Sequence, residues 1–294
     1  MSWVRFRCWM GAILLVGVGC GQSDSSEPTG PTTEVRFSVG VGDAAFSCTE
    51  GYDDFGAGDH RVRISDLRYY VHDVEVVEAD GTTRSVSFVD DGAWQLDEVA
   101  LVDVTDGDGH CLNTPEESNA TVELEADPEV VDRAESVAFS VGVPFELNHD
   151  DVATAPSPLN IPAMFWNWNA GYKFMRIDLE VGDDSAFRFH LGSTRCQPGA
   201  DGGVDRCDDP NRPRVVVEGF DADEEGIHLD LERLFAHTDV SRITENTPQG
   251  CMSTPDDPDC DGLFNALGID GQHDESVNDG IFELKQIYGG DGDE

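Results

Sequence analysis

Short stretches in which apolar and polar residues alternate recur along the chain, and they limit its possible folds more than any other feature. In the first, Val35, Phe37 and Val39 fall on one side, with Arg36 and Ser38 on the other. A period of two residues is that of a β-strand with one buried face. Strands are predicted, with 62–77 as one strand or two, over 35–41, 62–77, 85–89, 121–125, 136–143, 172–181, 187–191, 215–217, 227–231 and 281–287.

About ten short strands joined by turns predict an all-β fold, an antiparallel β-sandwich or barrel. The 31 Gly and 14 Pro of this 294-residue chain are spread between the apolar runs, as turn residues are. Helices are expected only as short elements near 229–237 and 263–267, and no helical pattern is long enough for β–α–β units. We therefore expect one β-sandwich domain over residues 34–294, with minor short helices.

The first residues predict an export signal of the lipoprotein type. Arg5 and Arg7 are basic, and the apolar run that follows is too short to span a bilayer as a stable helix. Gly19 and Cys20 resemble a bacterial lipoprotein cleavage site. We expect residues 1–19 to be removed and Cys20 to carry the lipid; an ordinary secretory signal cut nearby is the alternative.

Residues 20–33 are expected to form a Ser/Pro/Gly/Thr-rich tether to the membrane. Gly21 rather than Asp follows the predicted lipidated cysteine, so the inner-membrane retention signal is absent. The sequence thus predicts an exported protein, lipid-anchored to the outer membrane and periplasmic or at the cell surface.

The formal net charge of −42 excludes some partners. The predicted signal carries two arginines and no acid, so its removal makes the chain two units more negative. Such a field repels nucleic acid and anionic lipid surfaces. No nucleic-acid partner is therefore expected, and most of the acids are interpreted as a solvated surface.

Six cysteines remain after the signal and the lipid site, and an even count in an oxidising compartment predicts disulfides. Six cysteines allow fifteen pairings, so the sequence does not fix the connectivity. Proximity favours Cys196–Cys207 and Cys251–Cys260, which leaves Cys48–Cys111. The Gly-, Asp- and Pro-rich stretches 196–214 and 246–262 are expected to be irregular loops pinned by disulfides.

The segment around Trp166 and Trp168 is the most unusual in composition. Three prolines before it keep its lead-in extended. If 166–168 is extended, both indoles point to one side. They would then form part of the core, a stacking platform or a redox-active pair, and frequency alone favours the core.

Histidines near this segment are candidate metal ligands, because neutral imidazole is the commonest one. His149 lies in a polar loop just before it, with Asp150 or Asp151 expected to fix its tautomer. His190 lies on the non-core face of its predicted strand. His72 and the thioether of Met252 are further candidates, and two histidines with a soft third ligand suit copper.

Five stretches of the sequence resemble the methanobactin-operon-associated, MbnP-like family of copper-binding proteins. The most specific are Trp-x-Trp-x-x-Gly-Tyr-Lys-Phe from Trp166 and His-Leu-Gly-Ser-Thr-x-Cys from His190. The resemblance covers most of the mature chain. It is carried by residues 67–74, 141–149, 164–174, 189–196 and 250–260.

The resemblance implies a periplasmic or lipid-anchored β-sandwich that binds copper and is not itself an enzyme. It implies a partner of the di-haem cytochrome c peroxidase-like group, which oxidises a tryptophan to kynurenine; here that is Trp166 or Trp168. It places Cys196, Cys207 and the pair 251 and 260 in the family's four-cysteine pattern, with an additional pair at 48 and 111. The acidic insertion near Ala200 departs from the family.

Two other functions stay open at the level of sequence. The first is a surface lipoprotein that binds carbohydrate or peptide through a tryptophan platform, with structural calcium in acidic turns such as Asp106-Gly-Asp-Gly. The second is a secreted hydrolase, which the sequence does not support because no catalytic motif places a nucleophile beside a base.

Overall fold

The structure is a computed structural model that describes residues 30–58, 60–78, 80–200, 202–254, 256–269 and 280–286. The predicted signal, Cys20 and most of the predicted tether lie outside these residues. The first strand begins at Thr33, one residue before the predicted start of the domain.

Nineteen strands are present in the described residues, and most are short. They are β1 Thr33–Val41, β2 Ala44–Ala45, β3 Tyr52–Phe55, β4 His60–Glu78, β5 Thr83–Val86, β6 Gln95–Leu96, β7 Val99–Asp103, β8 Thr121–Leu124, β9 Ala134–Val141, β10 Phe165–Asn167, β11 Gly171–Tyr172, β12 Met175–Val181, β13 Ser185–Leu191, β14 Thr194–Pro198, β15 Val204–Asp209, β16 Arg214–Glu218, β17 Glu225–Asp230, β18 Gly250–Cys251 and β19 Phe282–Gln286.

The helices of the described residues are all short, as the sequence predicts. The α-helices are α1 Pro128–Val131, α2 Phe145–Asn148, α3 Leu231–Phe235 and α4 Asp261–Ala266, and the 3-10 helices are Gly109–Cys111, Pro162–Met164 and Pro258–Cys260. None of them is both long and apolar enough to cross a membrane.

Two large sheets form the fold. The larger runs in the order β16-β9-β4-β12-β13-β18, and the long strand β4 also pairs with β3, β5 and β7. The smaller sheet has the order β19-β17-β1-β2, and β8 also pairs with β1. Two separate hairpins, β10–β11 and β14–β15, complete the set. The predicted all-β fold is confirmed.

The core lies between the two sheets, where aromatic rings meet edge to face. Phe37 of the small sheet contacts Phe139 and Tyr69 of the large sheet, with ring centroids 5.8 and 6.2 Å apart. Phe282 of the small sheet contacts the same two rings. Burial of these large apolar side chains is the main force that joins the sheets.

The second face of the large sheet is also buried, under the segment that leads to the tryptophans. The hydroxyl of Tyr70 donates to the carbonyl of Pro158 over 2.9 Å, and that of Tyr172 donates to Leu159 over 2.6 Å. Because both faces of β4 are covered here, residues 66–72 are buried without a break. This second buried layer positions the candidate site.

Three features of the fold differ from the sequence prediction. The sheets are mixed rather than purely antiparallel, because β1 pairs with β17 and β13 with β18 in parallel. The stretch 196–214, expected to be irregular, contains most of the hairpin β14–β15. Strand β7 was missed because all five of its residues are buried, so its sequence does not alternate.

Three disulfides join the six cysteines. They are Cys48–Cys111, Cys196–Cys207 and Cys251–Cys260, the pairs that proximity favours. The second of them joins directly opposed residues of β14 and β15.

Candidate metal centre

A small hairpin carries the two candidate tryptophans. Its strands pair Phe165 with Tyr172 and Asn167 with Gly171. Strand β10 ends at Asn167, whose side chain accepts from the backbone N–H groups of residues 169 and 170 over 3.1 Å each. Trp168 therefore begins a turn rather than continuing the extended segment that the sequence suggested.

The two indoles lie in different environments. Trp168 is 53% exposed, one of the two large apolar side chains most open to solvent in the described residues. Trp166 is half-buried, and the six-membered ring of its indole covers Gly192. The interpretation of both rings as ordinary core is wrong, because Trp168 lies at the surface.

Asn148 attaches this hairpin to α2. Its Oδ1 accepts from the backbone N–H of Tyr172 over 3.0 Å, and the side chain is fully buried. Gly171 has a φ of 78°, and a Cβ there would lie 2.4 Å from the carbonyl oxygen of Asn148. A residue without a side chain is required for this contact.

His149 follows Asn148 and has a defined tautomer. Its Nδ1 lies 3.0 Å from the carbonyl oxygen of Trp168, which only accepts hydrogen bonds, so Nδ1 carries the proton. Nε2 then carries the lone pair and accepts from Nδ2 of Asn148 over 3.2 Å. Burial lowers the pKa of His149, which favours neutral imidazole. The Trp168 carbonyl, not Asp150 or Asp151, fixes this tautomer.

His190 is buried on the second face of the large sheet. The sequence placed it correctly on the face away from the main core, but the covering layer leaves it only 6% exposed. Its Nε2 donates to Oδ1 of Asp178 over 2.7 Å, which leaves the lone pair on Nδ1. A carboxylate on the far nitrogen is the usual support of a metal-binding histidine.

Asp178 lies beside a charged row that crosses four strands and bonds to two of its members. Asp103, Arg68, Arg176 and His190 stand opposite one another on β7, β4, β12 and β13. Arg176 donates to Asp178 over 2.6 Å. Burial raises the pKa of Asp178, but His190 and Arg176 outweigh it and the net pKa lies well below the ordinary range.

The charged row is tied to the tryptophan segment. Lys173 and Arg176 both donate to the carbonyl of Ala163, over 2.7 and 3.1 Å, three residues before Trp166. These two cations thus help to set the position at which the tryptophan hairpin begins.

Met252 and His72 complete the predicted set. Met252 is half-buried beside Ser253, whose Oγ accepts from the N–H of Gly192 and donates to the carbonyl of His190. Met252 is thus the chain neighbour of a residue that bonds to Gly192, the glycine under Trp166. His72 is 3% exposed, and its Nδ1 lies 3.1 Å from Asp73. No hydrogen bond or ion pair of the described residues joins His72 to the hairpin.

Two further features of the site were not expected from the sequence. Arg212 stacks over Phe174 at 4.7 Å and donates to the carbonyl of Val143 over 2.7 Å. The Cys196–Cys207 disulfide abuts His149, with Sγ of Cys207 3.6 Å from Nε2. The arrangement therefore holds one imidazole of fixed tautomer, that of His149, on the backbone of Trp168, and a second, that of His190, in the sheet beneath the tryptophan segment. Imidazole nitrogen is a donor type that suits copper.

Comparisons with known proteins identify a family and a solved structure of similar fold. The profile of the MbnP family matches residues 30–253 of the chain. A solved structure, MbnP from Methylosinus trichosporium, superposes with a TM-score of 0.75 at 28% sequence identity. The match covers 87% of this chain and 99% of that one. No curated protein sequence matches.

Proposed function

Because this chain belongs to the MbnP family, we propose that it binds copper on the face that carries the tryptophan hairpin. His149 and His190 supply imidazole nitrogens, and Met252 supplies a thioether. The protein acts as a binding protein rather than as an enzyme. It is the substrate of a partner di-haem enzyme of the cytochrome c peroxidase-like group.

The hydrogen bond from His149 to the Trp168 carbonyl is the observation that carries this proposal. It joins a candidate ligand directly to the Trp-x-Trp segment and leaves Nε2 with a lone pair. Copper at Nε2 would replace the hydrogen bond from Asn148. His190 is supported in the same manner by Asp178, so each imidazole presents one nitrogen in a fixed direction.

The exposure of Trp168 supports modification by a second protein. An indole at the surface gives up electrons to an oxidising haem that docks nearby, without entering the enzyme. With hydrogen peroxide as oxidant, two peroxides supply two oxygen atoms and leave as water while the indole C2–C3 bond breaks. Hydrolysis of the formyl intermediate releases formate and leaves kynurenine, whose aromatic amine is a new nitrogen donor.

Export and anchoring remain part of the proposal. A lipid on Cys20 and the tether over 20–33 would hold the domain at the outer membrane, facing the periplasm or the cell exterior. The three disulfides support an oxidising compartment.

Mass spectrometry combined with copper titration tests the proposal. The chain, co-expressed with a di-haem enzyme of the cytochrome c peroxidase-like group, should contain kynurenine at Trp166 or Trp168 and bind one copper. Trp166→Phe and Trp168→Phe, made separately, identify the oxidised residue. Unmodified tryptophans and no copper uptake after co-expression would overturn the proposal.

A carbohydrate- or peptide-binding surface is the second candidate, and exposed Trp168 is the feature that favours it. Trp166 weakens it, because its ring covers Gly192 and does not extend a flat platform. Structural calcium has no support in the described residues, because no group of three carboxylates among them has its oxygens within 4.8 Å of one another. Glycan binding lost in Trp168→Ala without any copper response would favour this candidate.

A further inference from the structure

Two cysteine sulfurs lie beside the imidazole of His149. Ligand atoms of His149, Cys196 and Cys207 all lie within 4.8 Å of one another. Nδ1 carries the proton that it donates to the Trp168 carbonyl, so Nε2 carries the lone pair. Nε2 lies 3.6 Å from Sγ of Cys207. Two sulfurs and one imidazole nitrogen at this spacing are the ligands of a three-coordinate site for a soft metal ion.

This disulfide is more accessible than the other two. Cys196 and Cys207 are half-buried. The members of the other two pairs, Cys48, Cys111, Cys251 and Cys260, are at most 3% exposed. Thiol–disulfide exchange requires direct attack on a sulfur, so a mild reductant reaches Cys196–Cys207 first.

Opening this disulfide leaves the core in place. Cys196 and Cys207 lie in the β14–β15 hairpin, which forms a two-stranded sheet of its own. Thr194 and Arg195 of β14 bond to Asp209 of β15, so further contacts hold the hairpin together near the disulfide. The sulfurs would therefore stay near His149 after reduction.

We propose that Cys196 and Cys207, once reduced, form with His149 a redox-gated site for Cu(I). A dithiol reductant transfers two electrons to the disulfide, its own thiols become a disulfide, and two cysteine thiols form. Copper then displaces the two thiol protons and binds two thiolates and Nε2. The site shares His149 with the proposed copper centre but requires neither kynurenine nor the partner enzyme.

Selective reduction followed by copper competition tests the site. The full-length protein, purified without exposure to the di-haem partner so that the kynurenine-dependent centre is not formed, is treated with a phosphine reductant, desalted without oxygen and titrated with Cu(I) against bathocuproine disulfonate. Alkylation and peptide mass spectrometry should find Cys196 and Cys207 open while the other four cysteines stay paired. The reduced protein should bind one more Cu(I) than the oxidised protein, with sulfur neighbours in copper X-ray absorption.

Three variants make the result specific. Cys196→Ser with Cys207→Ser should lose the additional Cu(I), as should reduced protein whose two thiols are alkylated. His149→Ala should weaken its binding by more than the ~10–100-fold typical of an outer-shell partner. The double variant Trp166→Phe with Trp168→Phe should still bind the additional Cu(I). This result separates the site from the kynurenine-dependent one.

Two results would overturn the inference. One is equal Cu(I) uptake by the reduced and oxidised proteins with Cys196 and Cys207 open. The other is retention of the additional Cu(I) by the double serine variant.

Discussion

Gly192 lies against the indole of Trp166 so closely that a Cβ there would be 2.5 Å from a ring carbon and 2.8 Å from the carbonyl oxygen of Tyr172. The glycine therefore sets how deeply the indole is buried. Gly192→Ala should displace the ring and destabilise the protein by about 1–3 kcal/mol, as overpacking does. Urea unfolding followed by tryptophan fluorescence measures both effects.

The matched control is Gly30→Ala, where a Cβ meets no atom within 4 Å. It should leave stability and fluorescence unchanged. If Gly192→Ala behaves like this control, the indole is not seated on Gly192.

His149→Ala should remove the imidazole that is joined to Trp168. Because Nε2 is a direct ligand in the proposal, copper affinity should fall by more than the ~10–100-fold expected for an outer-shell partner. Isothermal titration of the kynurenine-containing protein with copper measures the loss. His237→Ala, an exposed histidine, is the control and should bind as tightly as the unmutated chain. Equal affinity in the two variants would exclude His149 as a ligand.

Asp178→Asn should act through His190. A carboxylate accepts the Nε2 proton of His190 and so keeps the lone pair on Nδ1, and a neutral amide does this less well. Copper affinity should therefore fall by ~10–100-fold. The same titration measures it, with Asp184→Asn in the exposed β12–β13 turn as the control. An unchanged affinity would mean that His190 does not bind the metal.

His72 should make the stability depend on pH. Burial lowers its pKa to about 4, from an ordinary value near 6.5, although Asp73 opposes the shift. Between these pH values, His72 therefore binds more protons in the unfolded chain than in the folded protein. The contribution of His72 to the free energy of unfolding is fully present above about pH 6.5 and is lost as the pH falls toward about 4. The loss between pH 7 and pH 5 is about 2 kcal/mol.

His72→Leu should abolish this contribution, and it should leave copper binding intact because His72 is not among the proposed ligands. Urea unfolding at pH 7 and pH 5 measures it, and exposed His237→Leu should keep the full pH dependence. Loss of copper binding in His72→Leu would instead make His72 a ligand, as the sequence alone suggested.

Many of the longer strands could be predicted because large apolar residues alternate in them with polar or small ones. Strand β1 lies where Val35, Phe37 and Val39 alternate with polar residues. Strand β7 could not be found, since burial on both faces removes the alternation. The parallel partner of β1 was also beyond prediction, because pairing over such a separation leaves no local pattern.

The sequence indicates which residue types the candidate site contains, but not its geometry. The Trp-x-Trp segment and His149 stand out in the sequence, and the structure joins them by a hydrogen bond. Nothing local indicates that His190 is covered by a second layer, or that Asp178, twelve residues away, holds its ring. Those contacts depend on the register between β12 and β13, which only the folded sheet defines.

The parallel pairing of β1 with β17 has a consequence for how the chain reaches its native state. Ser38 bonds to His228, 190 residues further along, and β17 in turn pairs with β19. Strand β1 can pair earlier with β2 and β8, but its parallel pairing waits until most of the chain has been synthesised. Contacts at such separations slow folding, so we expect the closure of the small sheet to be a late step.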